Sequence, residues 1–295
     1  HYQDIAWRIQ AETENTIIKL LEILKARHPT DTLYLSGGVA LNVVANERII
    51  KSNLFENIIL NGSVEDNGAA IGAGLSVYNR LSGQRTTSEI TDYFGRSYSQ
   101  GEILQAVSKY HFPHQILTES KTIELAAELI SNDMVFGWFQ GKSEFGPRAL
   151  GNRSIFANPN SSQTKSILDH YMKRRDRHRP YAPVVIEEKA HQYFDLKEPS
   201  PVMMRNVKVL DNSFPAVTHV DGTARVQTVN KDFNPKLHRL LLEVEKMTSY
   251  PVLLNTSFNL PGEPIVETPS DALSSFKNGT IDFLFLDNVL VSRAP

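Results

Sequence analysis

Ile5, Ile9, Thr16, Leu20, Leu21 and Leu24 recur at near-helical spacing, with Pro29 beyond them as a stop signal, which predicts one long amphipathic helix over residues 1 to about 26. TLYLSGG, Thr32 to Gly38, predicts a short buried strand that runs into a glycine turn. A helical pattern follows from Ala40 to about Lys51, and FENIIL, Phe55 to Leu60, predicts a second strand. Glu65 to Leu81 opens with acidic and asparagine residues suited to a helix start. Its small residues, Gly68, Ala69, Gly72, Ala73 and Gly74, would let a ligand or another backbone approach closely. The order is α, β, α, β, α. From Ser82 to about Gln100 the periodicity gives way to Ser, Thr, Gly, Gln and Arg, so the domain boundary is set there, with residues 1–95 in one domain and 96–295 in the next.

Beyond the boundary the order is mixed. The pattern predicts helices near 100–110 and 120–132, a strand at MVFGWFQ (Met134 to Gln140) and a rigid turn at FGPRALGNRS (Phe145 to Ser154). A helix follows from about Ser161 to Lys173, then a proline-punctuated run and strand-like segments at PAVTHV and ARVQTV. A helix near 235–248, PVLLNTS, a helix at SDALSSFKNG and DFLFL complete the chain. Strands and helices in mixed order predict an α+β second domain after an α/β first one.

The 295 residues are 41% apolar, enough for substantial cores, and two domains suit the length. Lys+Arg of 31 against Asp+Glu of 33 gives a net charge of −2, so the whole molecule presents no electrostatic footprint for nucleic acid or an anionic membrane. Any basic site must be local. The absence of cysteine removes disulfide and thiolate chemistry and fits a reducing compartment, with the cytoplasm as the expected location. No apolar run approaches a membrane span, and the start at His1, directly in a helical pattern, suggests a fragment of a longer chain.

Candidate chemistry gathers at a few places. The strand into Gly37 and Gly38 delivers backbone N–H groups to a helix start, suited to a phosphate or a nucleotide's sugar edge, although it fits neither the dinucleotide fingerprint nor the P-loop. Asp66, after a strand and turn, reads as a helix cap or as a carboxylate holding a hard metal ion or a ribose. Arg148 and Arg153 flank Gly151, and KRRDRHRPYAP (Lys173 to Pro183) sets Arg174, Arg175, Arg177 and Arg179 around the single acid Asp176. Prolines and a tyrosine fix the backbone where this charge is densest, which is unlike a solvated face. The stacking aromatics of a nucleic-acid surface are also missing. A concave anion site remains, in which rigid guanidiniums clamp phosphate oxygens. NTSFN, Asn255 to Asn259, is either a hydrogen-bonding cluster at a sheet's end or a self-satisfied Asx turn. Arg225 and Glu263 are lone charges beside strands; the histidines lack metal-ligand spacing, and His219 in VTHVDGTAR is set apart by its neighbours.

LSGGVALN, GWFQGKSEFGPRALGNRSI, RPYAP, VTHVDGTARVQTV and VLLNTSFNLPGEPIVETPSDAL together resemble the O-carbamoyltransferase family, whose members act in nodulation-factor, aminoglycoside and cephamycin biosynthesis. The resemblance covers nearly the whole chain, and Gly137 to Ser154 is its most specific block. It implies the second half of an actin-like ATPase domain, similar to the universal tRNA threonylcarbamoyl transferase, followed by a YrdC/Sua5-like α+β domain. In the family, the latter makes carbamoyl adenylate from carbamoyl phosphate and ATP (with Mg). The former transfers the carbamoyl group to an acceptor hydroxyl with the help of a divalent metal, iron among the candidates.

By motif match the resemblance gives Arg148, Arg153, Lys173, Arg175, Arg179 and Arg225 to carbamoyl phosphate and the ATP phosphates. Asn152, Ser154, His219, Asn255, Thr256, Ser257 and Asn259 are the further residues expected to bind substrate and nucleotide, while the resemblance gives Gly37, Gly38 and Asn42 to the nucleotide turn of the first domain and Asp66 to the metal. Two departures stand out. The family's paired-histidine metal motif belongs to a segment preceding this chain, and Glu65 stands where the family usually has glycine, with Asn67 after the aspartate. Lys142 replaces a common arginine. The expected partners are a small-molecule hydroxyl acceptor, sugar or natural product, and the missing N-terminal segment of the same polypeptide, without nucleic acid or membrane. The alternatives are a threonylcarbamoyl-adenylate synthase-like enzyme and a non-catalytic nucleotide- or RNA-binding module.

Overall fold

The computed structural model describes residues 2–85, 92–173 and 179–293, with 171–173 as backbone. The chain forms two compact units, His1–Ile90 with Met204–Asn206, and Thr91–Met203 with Val207–Pro295. Arg174, Arg175, Asp176 and Arg177 lie outside the described residues.

In the first unit the helical spacing produces α1 (Tyr2–Arg27), then β1 (Thr32–Leu35), a 3-10 turn over Gly38–Leu41, α2 (Val43–Lys51), β2 (Asn57–Leu60) and α3 (Asp66–Ser82). The helix expected from Ala40 is broken at Asn42, whose extended backbone and side chain cap α2 through Ala45 N–H. β1 and β2 pair in parallel, and their inward residues pack with Leu21, Ile49 and Phe55 into a small core. Gly68 owes its place to sterics, because a Cβ there would sit 2.0 Å from the Ser63 carbonyl. The small residue admits the chain's own backbone and no ligand is needed to explain it.

The second unit contains α4 (Gln100–Tyr110), β3 (His114–Ile116), α5 (Glu119–Ser131), β4 (Phe136–Phe139), β5 (Arg153–Ala157) and α6 (Ser162–Ile167). A π-turn over Leu168–Lys173 leads on to β6 (Ala182–Ile186), α7 (Ala190–Tyr193), β7 (Arg205–Lys208, of which Arg205 and Asn206 count with the first unit) and β8 (Thr223–Val229). The chain then forms α8 (Pro235–Thr248), β9 (Val252–Ser257), α9 (Pro269–Asn278), β10 (Phe283–Leu286) and β11 (Val289–Ser292). The strands form one nine-stranded mixed sheet in the order β3-β11-β10-β4-β5-β9-β6-β8-β7. The strand expected at PAVTHV is a run of turns instead, and β6 forms where only a proline-punctuated stretch was expected.

Strand alternation sorts the side chains to two faces. Phe136, Trp138, Phe156, Val184, Leu253 and Phe285 pack beneath α5 and α8 on one face; Phe139, Ile155, Val185, Val226, Leu254 and Leu284 belong to the core on the other.

Candidate functional site

The same period of two decides which candidate residues meet. Register pairs Ser154 with Ser257, Phe156 with Asn255, and Asn255 with Ala182, while Val184 pairs with Gln227. Residues opposite one another across strands share a face. Ser154, Asn255, Ser257, Gln227, Arg225 and Thr223 therefore form a polar row on the α5/α8 face, where the apolar cover of that face ends. Arg153 and Thr256 are one residue out of step and point to the other side.

Over this row lies the loop that carries Arg148, held by a buried amide network. Gln227 donates to Leu150 O at 2.7 Å, Asn255 donates to Ala149 O at 3.1 Å and to Gln227 Oε1 at 2.8 Å, and Gly151 N–H donates to Ser154 Oγ at 3.0 Å. Gln140 donates to the side-chain oxygens of Asn152 and Asn234, each at 2.9 Å, and Asn234 donates to Asn152 Oδ1 at 2.9 Å. Tyr93 gives its hydroxyl proton to Leu150 O, and burial pushes its phenol well above the ordinary value, with Asn234 acting in the opposite direction.

Glu144 closes the loop from inside. Its Oε1 accepts N–H from Leu150 and Asn152, both at 2.7 Å, and from Arg153 at 3.3 Å, while Oε2 is buried without a partner among the described residues. Burial raises this carboxyl above the usual range, and the backbone donors and Arg153 offset part of that shift.

The expectation for Arg153 is corrected by its surroundings. Fully buried, it donates to the carbonyls of Gln140, Gly141, Asn152 and Arg96 and, at 3.4 Å, of Glu267, with its guanidinium 3.6 Å over the Phe139 ring. A guanidinium spent on carbonyls cannot also clamp a phosphate. Asn152 is likewise consumed, since it donates to Lys142 O and accepts from Gln140 and Asn234. Ser257 and Asn259 close a local turn, with Asn259 donating to Glu263 O at 2.8 Å, and Glu263 in turn accepts from Leu260 N–H and Ser275.

Arg148 is half-exposed on the clasped loop, and Arg225 is half-buried in the row. Asn255 is 2% exposed, and its Oδ1 is an acceptor with no partner among the described residues. Arg148 is carried by the loop over the row and Arg225 by the row itself; Arg179 is exposed, and the Lys173 side chain and Arg175 lie outside the described residues. His219 adjoins it: the ring Nδ1 lies 3.1 Å from Thr223 Oγ1. A separate cleft of about 440 Å³, lined by residues including Glu187, His191, Phe194 and Lys197, contains none of the expected site residues.

Gln227, Gln140, Asn234, Glu144 and Tyr93 were not singled out from sequence. The available signal was polar residues inside apolar strands, as in WFQG and RVQTV, and an asparagine before the Pro235 that opens α8.

In the first unit, Gly37 N–H donates to Val64 O at 2.8 Å and Gly38 lies beside the Glu65 carboxylate, so the glycine turn and the Glu65–Asp66 turn meet at the carboxyl ends of the two parallel strands. Asn42 is occupied by its cap and by a reciprocal amide pair with Gln10. Asp66 is the exposed first residue of α3, and no group of three His, Asp or Glu side chains suited to a metal occurs among the described residues. The described residues do not by themselves make a metal site. No helix among the described residues is long and apolar enough to cross a membrane.

The chain is similar to nodulation protein NolO of Bradyrhizobium diazoefficiens, at 36% identity over 100% of this chain and 55% of that protein. It is also similar to nodulation protein U of Rhizobium tropici (32%, covering 95% and 47%) and to the 3'-hydroxymethylcephem-O-carbamoyltransferase of Streptomyces clavuligerus (32%, covering 88% and 48%). It thus spans about half the length of these curated relatives. A solved structure of a P. abyssi Sua5 variant aligns at TM-score 0.41 and 13% identity over 58% of this chain and 50% of that one, a likeness too slight to carry an argument. Residues 1–75 match the family model described as carbamoyltransferase N-terminus and 127–293 the one described as carbamoyltransferase C-terminus, and the second match contains the Arg148 loop and every strand of the polar row. By those matches the chain belongs to the carbamoyltransferase family of transferases.

Proposed function

We propose that the second unit is a YrdC-like site that forms carbamoyl adenylate from carbamoyl phosphate and ATP. In this reading the first unit is the latter half of an actin-like ATPase domain, where the carbamoyl group passes to an acceptor hydroxyl. The atoms balance if water takes the phosphoryl group of carbamoyl phosphate, leaving carbamate and phosphate. A carbamate oxygen then attacks the α-phosphorus of ATP, and the bond to the β-phosphate breaks to release pyrophosphate. No side-chain nucleophile is required. The protein's task is to hold phosphate charge and keep water away from a labile anhydride.

The observation that carries this reading is the polar row roofed by the Arg148 loop. A rigidly clasped backbone supports one guanidinium, and a strand supplies Arg225 on the same face. Fixed donors of this kind meet phosphate oxygens without reorganising. Ser257 serves the uncharged part of the substrate, carbamoyl or adenylate, and Asn255 holds the loop above it. Glycines 37 and 38 with Asp66 contribute to the transfer site, which is completed, metal included, by a segment preceding this chain. An acceptor bearing a free hydroxyl is suggested by the Streptomyces relative's name, and we place the reaction in the cytoplasm.

The test is pyrophosphate release from ATP. It should appear only with carbamoyl phosphate and disappear in Arg148→Ala and Arg225→Ala. Release driven instead by threonine and bicarbonate would overturn the assignment.

A further inference from the structure

His219 follows the turns between β7 and β8, and a tight turn sets its ring against the start of β8: His219 N–H donates to Thr223 O at 2.7 Å and Gly222 N–H donates back to His219 O at 3.0 Å. Thr223 Oγ1 lies 2.6 Å from Asp221 Oδ1 and 3.1 Å from His219 Nδ1. A hydroxyl has one proton to give. Asp221 Oδ1 already accepts Thr223 N–H at 3.0 Å, and an ionised carboxylate can only accept, so the threonine proton goes to Asp221. The hydroxyl oxygen then accepts from His219, which fixes the proton on Nδ1 and leaves Nε2 with a bare lone pair. Nε2 has no hydrogen-bond partner among the described residues. Thr223 and Arg225 are two apart on β8, so the ring stands on the face of the strand that carries Arg225.

Phosphates need donors, and the row supplies them as guanidiniums. A carbamoyl group differs from other acyl groups in its N–H, which needs an acceptor. Asn255 Oδ1 is one acceptor in the row but is sealed inside it, whereas His219 is half-exposed at its end.

We propose that His219, held by Asp221 and Thr223 in its Nδ1–H form, is a specificity-determining residue whose Nε2 accepts an N–H of the carbamoyl group and so distinguishes carbamoyl phosphate from acyl phosphates that lack it. This rests on the adenylate-forming reading of the second unit. The ring's environment agrees: burial, with the Arg225 charge acting the same way, holds the imidazole below its ordinary value, although Asp221 pulls the other way. For Asp221 burial alone would raise the carboxyl, but hydrogen bonds from Thr223 and the nearby His219 bring it below the usual range.

The experiment compares the intact chain with His219→Phe and His219→Gln, the latter able to place an amide oxygen near the position of Nε2. Carbamoyl-phosphate-dependent pyrophosphate release is measured with acetyl phosphate as competitor, and the ring-nitrogen NMR shifts of His219 are read without substrate. His219→Phe should lose roughly tenfold to a hundredfold in kcat/KM for carbamoyl phosphate, the effect of a lost acceptor for a buried N–H. Inhibition by acetyl phosphate should stay as in the unmodified chain, and His219→Gln should recover most of the loss. The spectrum should show an unprotonated Nε2, with Thr223→Val redistributing the proton between the two nitrogens. A His219→Phe variant that keeps its preference for carbamoyl phosphate, or a proton found on Nε2, overturns the inference while leaving the adenylate-forming site intact. If the unmodified chain releases no pyrophosphate with carbamoyl phosphate, the adenylate-forming reading itself fails and this inference fails with it.

Discussion

Arg148 and Arg153 lie five residues apart on one segment, yet their environments differ. Arg153 enters β5 facing the Phe139 side, where backbone carbonyls take up its donors, while Arg148 remains on the loop beyond the strand. Replacement with lysine cannot reproduce the planar fork, and buried carbonyls lose their donors. Arg153→Lys should therefore lower unfolding stability by about 3 kcal/mol in denaturant melts. Arg148→Ala should leave stability within about 0.5 kcal/mol, as surface changes do, while abolishing pyrophosphate release. Equal loss of stability in the two variants would sink the distinction. Gly151 gives a second test at this scale: its φ is +103°, and a Cβ there would come 2.3 Å from Leu237 Cδ2. Gly151→Ala should cost about 3 kcal/mol from clash and backbone strain, and adding Leu237→Ala should relieve only the clash.

Among the elements, the clasped loop joining β4 to β5 depends on Glu144, whose Oε1 gathers the N–H groups of Leu150, Asn152 and Arg153. Because burial raises this carboxyl's native value above its unfolded one, the folded state binds more protons across that interval. Stability from this group is therefore present below the unfolded value and lost as pH rises through the native one. Glu144→Gln keeps the accepting oxygen and removes the buried charge, so its stability should fall less over that window than the unmodified chain's. Glu144→Ala should loosen the loop and raise KM at all pH values; parallel stability profiles for Gln and Glu would refute the account. Most helices and just over half of the strands were legible in sequence because local spacing fixes them, α8 and β9 among them, whereas β3, β5, β6, β7 and β11 were not predicted. PAVTHV was misread because Ala216 and Val217 are buried from a turn, where no alternation is needed, while Val220 is exposed. The site was half legible. Arg148, Arg225 and Asn255 could be named, but separating Asn255 from Thr256, or Ser154 from Arg153, required the register of β5, β6, β8 and β9, which depends on long-range pairing.

For the whole molecule, a net charge of −2 leaves function to local charge, and stability is distributed just as unevenly. The second unit buries both faces of its sheet in two extended apolar clusters. In the first, a two-stranded parallel sheet rests on a core cluster whose buried members are Leu21, Ile49 and Phe55, α3 buries no residue, and Trp7, Ile9, Val77, Tyr78 and Leu81 are exposed. Two strands with so small a core hold little free energy of their own. Native-state hydrogen exchange should therefore find the amides of β1 and β2 opening on the order of a thousandfold more readily than those of β4, β5, β9 and β10, as separate cooperative units do. Thermal unfolding should show the weaker unit melting first, before the Trp138 environment in the second unit changes. Uniform protection across β1, β2 and the nine-stranded sheet, or a single coincident transition, would mean that the two units share stability that their separate cores do not supply.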